Sequence, residues 1–239
     1  MDKLTIKNLD LYYSEFKALK NINLNIQEKE ITAFIGPSGC GKSTLLHLIA
    51  GLLKPEAGII TYRGNMIPGG SANLGYMLQR DELLEWRSIY ANIILGLEIQ
   101  HKMNSENKAR VWHFLSTYGL KSFAYSRPSE LSGGMRQRAA LIRTLVLNPD
   151  ILLLDEPTAA LDPIAENDIY MKYSEMTQGK TSMFISHRLA STRFCDRIIF
   201  VADGGVKEEG THESLLALGG EYANLFEVQS RYYQEGKEF

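Results

Sequence analysis

Residues 31–44, ITAFIGPSGCGKST, contain the pattern that decides the fold. Ile31–Ile35 is a continuous apolar run, which is typical of a strand buried on both faces of a parallel sheet. A glycine-rich turn, 36–41, follows it, and apolar residues then recur at helical spacing over 42–53. The stretch therefore predicts a strand, a glycine loop and a helix in that order, which is the context required of a phosphate-binding loop.

The glycine-rich turn has the spacing G-x-x-x-x-G-K-S. Glycines let successive main-chain amides curve around phosphate oxygens, and the helix N-terminus adds a positive potential. Lys42 can reach the outer phosphates, the hydroxyl of Ser43 can ligate magnesium, and Cys40 fits a position that needs only a small side chain. A turn that binds nothing is the weaker alternative. The predicted nucleotide contacts in this loop are Ser38, Gly39, Cys40, Gly41, Lys42, Ser43 and Thr44.

A second apolar run, 151–154, ends in the acidic pair Asp155 and Glu156. Ligands of open α/β sheets bind at the carboxyl ends of the strands, so these carboxylates are expected beside the glycine loop. Asp155 could hold magnesium through water, and Glu156 could orient or deprotonate an attacking water. An acidic pair before a proline also makes a simple turn, but the loop upstream favours the catalytic interpretation.

Composition excludes several classes of protein. The 239 residues include 26 Lys and Arg against 28 Asp and Glu, so the chain has no overall basic field for nucleic acid or an anionic membrane. The apolar runs fall far short of the ~20 residues that a membrane-spanning helix needs. Two cysteines do not make a disulfide framework. We expect a cytoplasmic chain that neither binds nucleic acid nor inserts into a membrane.

The remaining periodicity predicts an α/β core with a helical insertion. An alternating strand would send Tyr12 and Tyr13 to opposite faces, so one of the two is expected in the core. Ser132 is suited to cap a helix, because its hydroxyl can accept from free first-turn amides. Further strands are predicted at 4–9, 22–26, 182–185, 197–201 and 206–209. Helices are predicted at 89–99, at 105–118, from 132, and as short segments from 211.

Several motifs resemble those of the nucleotide-binding domains of ATP-binding cassette transporters. Residues 131–135, LSGGM, are similar to the family signature LSGGQ, with Met135 in place of glutamine. Gln79 resembles the Q-loop glutamine, and His187 resembles the switch histidine. Ala160-Leu161-Asp162 resembles the D-loop, with Asp162 as its acidic residue, and Tyr13 resembles the aromatic residue that stacks on adenine. These motifs occur in family order along nearly the whole chain.

This resemblance implies a P-loop NTPase fold, with a RecA-like core, an antiparallel β subdomain and an inserted helical subdomain. A single domain, 1–239, would have its core and β subdomain in 1–87 and 149–239 and its helical subdomain in 88–148. ATP and magnesium are the implied ligands, with Ser43 and Gln79 at the metal. His187 would steady the γ-phosphate.

The resemblance also implies partners. Ser132, Gly133 and Gly134 would close on ATP held by a second copy, giving a head-to-tail homodimer when ATP is bound. Without the resemblance, the same segment is more readily explained as a helix cap. The region from Gln79 to Trp86 would meet a transmembrane permease, which places the chain in the cytoplasm against the inner membrane. Cassettes that act on nucleic acid or ribosomes usually have two cassettes or a long insertion, and this sequence has neither.

Different segments resemble different branches of the family. Residues 1–44 are similar to phosphate-importer ATPases, 45–157 to nitrate, sulfonate and taurine importers, and 158–239 to exporter-type domains. A chimera assembled from family fragments and one diverged importer ATPase are equally compatible with this pattern. As a chimera, the chain would fold and could close on ATP without driving a coupled transporter.

Overall fold

The computed structural model describes residues 2–66, 73–158, 179–187 and 189–235. Asp162 and the rest of the predicted D-loop lie outside the described residues. The described strands are β1 (Asp2–Tyr13), β2 (Phe16–Gln27), β3 (Ile31–Ile35), β4 (Ala57–Tyr62), β5 (Asn65–Met66), β6 (Leu74–Met77), β7 (Ile151–Asp155), β8 (Thr181–Ile185), β9 (Arg197–Ala202) and β10 (Gly205–Gly210). The described helices are α1 (Lys42–Ile49), α2 (Ile89–Ile93), α3 (Leu95–Ile99), α4 (Ser105–Thr117), α5 (Gly133–Leu145), α6 (His212–Leu218) and α7 (Glu221–Glu235).

The central sheet has six strands in the order β10-β9-β3-β8-β7-β6. Neighbours from β9 to β6 pair in parallel, and β10 adds an antiparallel edge. Consecutive residues of β3 belong to different cores: Phe34 packs with α1 and the antiparallel strands, and Ile35 packs with the helices on the opposite face. The predicted α/β fold is confirmed, and the central sheet is buried on both sides as its apolar strands require.

A second, antiparallel sheet has the order β2-β1-β4-β5. Its β1 and β2 place alternate apolar residues in the core beneath α1, while most of their polar residues, with the exception of the buried Lys3, are exposed or partly exposed. This alternation is what allows one face of an antiparallel sheet to stay wet. The sheet is the predicted β subdomain, although the sequence did not reveal β4 and β5.

Four helices, α2 to α5, lie in the chain between the neighbouring strands β6 and β7. Ser132 caps α5 as predicted, because its Oγ accepts a hydrogen bond from the amide of Met135 at 3.4 Å. Buried residues of α5 pack in the same core as α2 and α4. The inserted helices therefore share the core on one face of the central sheet.

The structure corrects two predicted helices. The helix from Lys42 ends at Ile49 rather than at residue 53, because the chain turns at Gly51, whose φ is +73°, and leaves Leu52 exposed. The predicted helix 89–99 is two short helices, separated at Ile94.

Tyr12 and Tyr13 correct a third expectation, since both are exposed, by 40% and 48%. A register shift between Leu11 and Tyr12 interrupts the regular alternation just before the hairpin turn. Alternation places a side chain in a core only where another layer covers the strand, and both tyrosines remain exposed at this end.

Candidate functional site

A cavity of about 290 Å³ opens at the carboxyl ends of the parallel strands. Ligands of doubly wound sheets bind at this edge, where loops from several strands converge. The cavity lies between the glycine loop on one side and residues that follow β6, β7 and β8 on the other. Its lining residues are Ser38, Gly39, Gly41, Lys42, Ser43, Thr44, Gln79, Glu156 and His187.

Two glycines allow the loop to pack tightly beside the cavity. Gly36 has φ +145°, and a Cβ on it would overlap the carbonyl oxygen of Val201. Gly41 has φ +106° at the start of α1, and a Cβ there would come within 2.6 Å of the side chain of Leu19. Both positions need glycine for its positive φ and for close approach. Gly39 differs, because a Cβ there would meet no atom within 4 Å.

Lys42 is 95% buried and its ammonium group is held by the loop. Its Nζ donates to the carbonyl oxygens of Gly36 at 2.8 Å and Pro37 at 2.7 Å. Cys40 does not line the cavity: its side chain is buried in the core beneath the loop, with Sγ 3.5 Å from the same Nζ. The loop thus places one positive charge at the floor of the site.

Asp155 lies behind the start of α1. The hydroxyl of Ser43 donates to its Oδ1 at 3.2 Å, which joins the end of β7 to the glycine loop. Burial raises the pKa of Asp155, and the hydrogen bond from Ser43 opposes that rise. These two oxygen donors adjoin the cavity and have the chemistry that magnesium prefers.

The opposite wall is a chain of three side chains centred on Glu156. Gln79 Nε2 donates to Glu156 Oε2 at 3.0 Å, and His187 Nε2 lies 2.5 Å from Glu156 Oε1. Glu156 has φ +50°, an uncommon conformation for a residue other than glycine. Such backbone conformations concentrate at functional sites, where surrounding contacts hold them in place. The structure therefore unites three predicted catalytic residues that are far apart in the sequence.

Other predicted site residues lie beside the glycine loop or outside the lining of its cavity. The hydroxyl of Tyr13 lies 3.4 Å from Thr44 Oγ1, which sets the exposed ring beside the glycine loop. Gly133 lines a different pocket, next to Gln79 and the residues that follow it. Ser132 and Gly134 are also absent from the lining of the glycine-loop cavity, so within the described chain residues 132–134 are not part of that lining.

The sequence did not indicate how α5 attaches to the segment after Gln79. Arg136 makes ion pairs with Asp81 at 2.9 Å and Glu85 at 2.7 Å. Burial alone would raise the pKa of Asp81, but hydrogen bonds from Arg136 and the Leu83 amide outweigh it and lower that pKa below its usual value.

Two further residues of α5 complete the attachment. Gln137 Nε2 donates to the carbonyl oxygen of Gln79 at 3.1 Å. Arg143 donates to the carbonyl oxygens of Asp81 and Glu82. The polar run 136–138 after the LSGGM segment was the available signal, but a sequence does not say which partners such residues meet.

The glycine loop, the parallel sheet and the acidic strand end together define the class of P-loop nucleotide hydrolases. The model of the ABC transporter family matches residues 19–159. The chain belongs to this family and is an ATP-binding cassette ATPase.

Curated relatives span most of the chain. It is 38% identical over 218 residues to the uncharacterized ABC transporter ATP-binding protein YtlC of Bacillus subtilis, covering 90% of this chain and 82% of the relative. It is 36% identical to the taurine import ATP-binding protein TauB of Jannaschia sp., covering 84% and 78%. These matches lend no support to a chimera without a transporter, and the mosaic origin stays a hypothesis.

Solved structures agree on the fold. A dimeric post-hydrolysis state of the ATP-binding cassette MJ0796, bound to ADP and Pi, superposes with a TM-score of 0.78 at 33% identity, covering 87% of this chain and 98% of that one. A bacterial Atm1-family ABC exporter with ATP bound gives 0.85 at 31% identity, covering 95% of this chain and 42% of that one. Among the described residues, none of the helices combines the length and apolar character needed to cross a membrane.

Proposed function

We propose that the chain binds and hydrolyses Mg-ATP in the glycine-loop cavity and uses this cycle to energise a membrane permease. The observation that carries the proposal is the meeting of Lys42, Ser43, Gln79, Glu156 and His187 around one cavity. A cationic, amide-rich wall faces a wall with a carboxylate, which is the arrangement that phosphoryl transfer to water requires.

The phosphate wall of the cavity is the glycine loop, 36–44. It binds the phosphates of ATP through the charge of Lys42 and through main-chain amides. Lys42 exchanges its bonds to the loop carbonyls of Gly36 and Pro37 for phosphate oxygens, while the amides of 38–44 and the N-terminus of α1 surround the remaining oxygens. Gly39 leaves open space toward the cavity, so phosphate can approach the backbone there. Cys40 contributes only main-chain groups, and Tyr13 stacks on the adenine.

Magnesium fits the oxygen donors at the base of this wall. Ser43 and Gln79 would hold the ion directly and Asp155 would hold it through water, since a hydroxyl, an amide oxygen and a carboxylate are ligands that magnesium accepts. When bound, the ion neutralises charge on the phosphates. Asp155 also orients the hydroxyl of Ser43 through their hydrogen bond.

The carboxylate wall of the cavity consists of Gln79, Glu156 and His187. It provides the groups that act on the attacking water and on the γ-phosphate. Glu156 polarises the attacking water through its carboxylate oxygens, whose lone pairs can accept more hydrogen bonds than the contacts with Gln79 and His187 use. The Nε2 of His187 moves from Glu156 to the γ-phosphate, which offers the imidazole a new acceptor. The reaction then needs only positioning and stabilisation of charge in the transition state.

A second copy completes the site. Ser132, Gly133 and Gly134 lie at the N-terminus of α5, where free amides and the helix dipole favour an anion, and they do not line the chain's own glycine-loop cavity. Two copies arranged head to tail, with ATP between them, bring each signature onto the other copy's nucleotide. Dimeric cassettes among the structural relatives support this arrangement.

A permease docks at the segment from Gln79 to Trp86, whose tryptophan is 72% exposed. Exposed aromatic side chains are common anchors in protein interfaces. The chain then lies in the cytoplasm against the inner membrane. Residues 88–148 form the helical subdomain of a single domain, and 1–87 with 149–239 form its core and β subdomain.

The experiment that tests this function compares Glu156→Gln with wild type. Removing the carboxylate charge keeps the shape of the site, so we expect ATP turnover to fall by about 10²-fold or more while ATP still binds. Glu106→Gln, an exposed change in α4, is the matched control and should leave turnover unchanged. Turnover in Glu156→Gln equal to that of wild type would contradict the proposal. Mass in solution with and without ATP tests the dimer.

A further inference from the structure

One side chain of the C-terminal helix α7 holds the backbone of His187 and of Leu189, just after it. Gln229 Nε2 donates to the carbonyl oxygen of His187 at 2.7 Å, and Gln229 Oε1 accepts from the amide of Leu189 at 3.1 Å. An amide group has a donor and an acceptor, and here both are used on one short loop. The backbone that carries the His187 imidazole is therefore tied to α7.

The start of α7 is fixed by a buried polar chain. Tyr222 is fully buried, and its hydroxyl lies 2.8 Å from Thr192 Oγ1 and 2.7 Å from His212 Nδ1. Thr192 Oγ1 also donates to the carbonyl oxygen of Leu189, the residue whose amide Gln229 holds. A satisfied buried network of this kind specifies one position for the helix.

Two further contacts set the register of α7. The carboxylate of Glu208 accepts from the amides of Glu221 and Tyr222, which are free donors in the first turn of the helix. Gln229 lies seven residues after Tyr222, two helical turns on, so both side chains fall on the same face. Anchoring the first turn of α7 therefore brings Gln229 to His187.

We propose that Gln229 is a positioning residue for hydrolysis, which holds the backbone at His187 so that the imidazole is aligned to move from Glu156 to the γ-phosphate. The inference rests on the proposed function of His187. The family model ends at residue 159, so α7 lies outside the segment that it matches. Its docking makes turnover depend on a part of the chain that contributes no group to the cavity lining.

The expected effect is on turnover rather than on nucleotide binding. ATP is held by the glycine loop on the opposite wall, which Gln229 does not contact, whereas His187 acts at the reacting phosphate. A displacement of about 1 Å in a catalytic group can lower a rate by about 10²-fold, so partial loss of alignment should lower turnover by about ten-fold.

The test uses the full chain and four measurements: ATP turnover, equilibrium ATP affinity, melting temperature and hydrogen exchange at the Leu189 amide. Gln229→Met keeps the length of the side chain and removes both hydrogen bonds. Arg231→Met, at an exposed position of the same helix, is the matched control. Glu156→Gln measures the proposed function separately. Should Gln229→Met fail to fold, Gln229→Asn, whose amide is too short to span both contacts, takes its place.

We expect Gln229→Met to lose exchange protection at Leu189 and about ten-fold in turnover, with ATP affinity and melting temperature close to those of Arg231→Met. Unchanged protection would refute the contact, and lost protection with unchanged turnover would refute its role. Parallel losses of turnover, affinity and melting temperature would show a merely structural residue. If Glu156→Gln turns over like wild type, the proposed function fails whatever Gln229 does.

Discussion

The two walls of the cavity are built in different ways. The phosphate wall is one continuous segment, 36–44, in which glycine conformations and a helix N-terminus aim main-chain groups. The carboxylate wall draws Gln79, Glu156 and His187 from the ends of three strands and joins them through side chains. Changes on the first wall should therefore affect binding and local folding, whereas changes on the second should affect turnover.

Lys42→Met should weaken ATP binding, whereas Glu156→Gln should slow ATP turnover and leave binding intact. Removing the cation from a buried phosphate site should cost about 2–5 kcal/mol of ATP binding energy, because the phosphate charge loses its partner. Equilibrium ATP titration measures this loss, with Lys54→Met at an exposed position as control. If Lys42→Met binds ATP as tightly as wild type, the assignment of binding to the phosphate wall and of turnover to the carboxylate wall is wrong.

Gly36→Ala tests whether the phosphate wall depends on local backbone packing. The added methyl group would overlap the Val201 carbonyl at a φ of +145°, so we expect a loss of about 1–3 kcal/mol in the free energy of unfolding. Gly39→Ala also has positive φ but open space around it, and should cost less. Urea denaturation compares them; equal losses would mean that packing against Val201 contributes little.

Asp81→Asn examines the attachment of α5 behind the carboxylate wall and has the smallest expected effect. The pKa of Asp81 is lowered in the folded chain, so its ion pair with Arg136 stabilises the fold above the unfolded pKa of about 4. At pH 7 we expect the variant to lose about 1 kcal/mol of unfolding free energy.

This difference should shrink as the pH falls below about 4 and vanish once Asp81 is protonated in the folded chain as well. Urea denaturation at several pH values measures it, and Asp203→Asn, at an exposed turn, serves as control. A difference that stays constant down to low pH would show that the charge of Asp81 is not what holds α5.

Much of the fold was predictable because its signals are local. The apolar run before Gly36, the glycine spacing and the cap at Ser132 each lie within a few residues, and each appears in the structure as expected. The end of α1 and the burial of Tyr12 and Tyr13 were predicted wrongly. In those cases a turn at Gly51 and the lack of a covering layer overrode the periodicity.

The candidate site likewise has residues that the sequence indicated and contacts that it did not reveal. The residues themselves indicated the glycine loop and Glu156, and the family resemblance indicated His187, but neither revealed Arg136 against Asp81 or Gln229 against the backbone at His187. These contacts join residues 55 and 42 positions apart in the chain. No pattern in a single sequence distinguishes such a partner from a solvated polar side chain.

The sequence by itself determined the phosphate loop and the buried strands, because main-chain conformation and apolar periodicity depend on neighbouring residues, and its motifs indicated the family by resemblance. Only the tertiary structure decided which side chains meet at Glu156, which pocket Gly133 lines and what holds the backbone at His187. Those relations follow from the order of the strands in the sheet and from the docking of α5 and α7, and both depend on the packing of the whole chain.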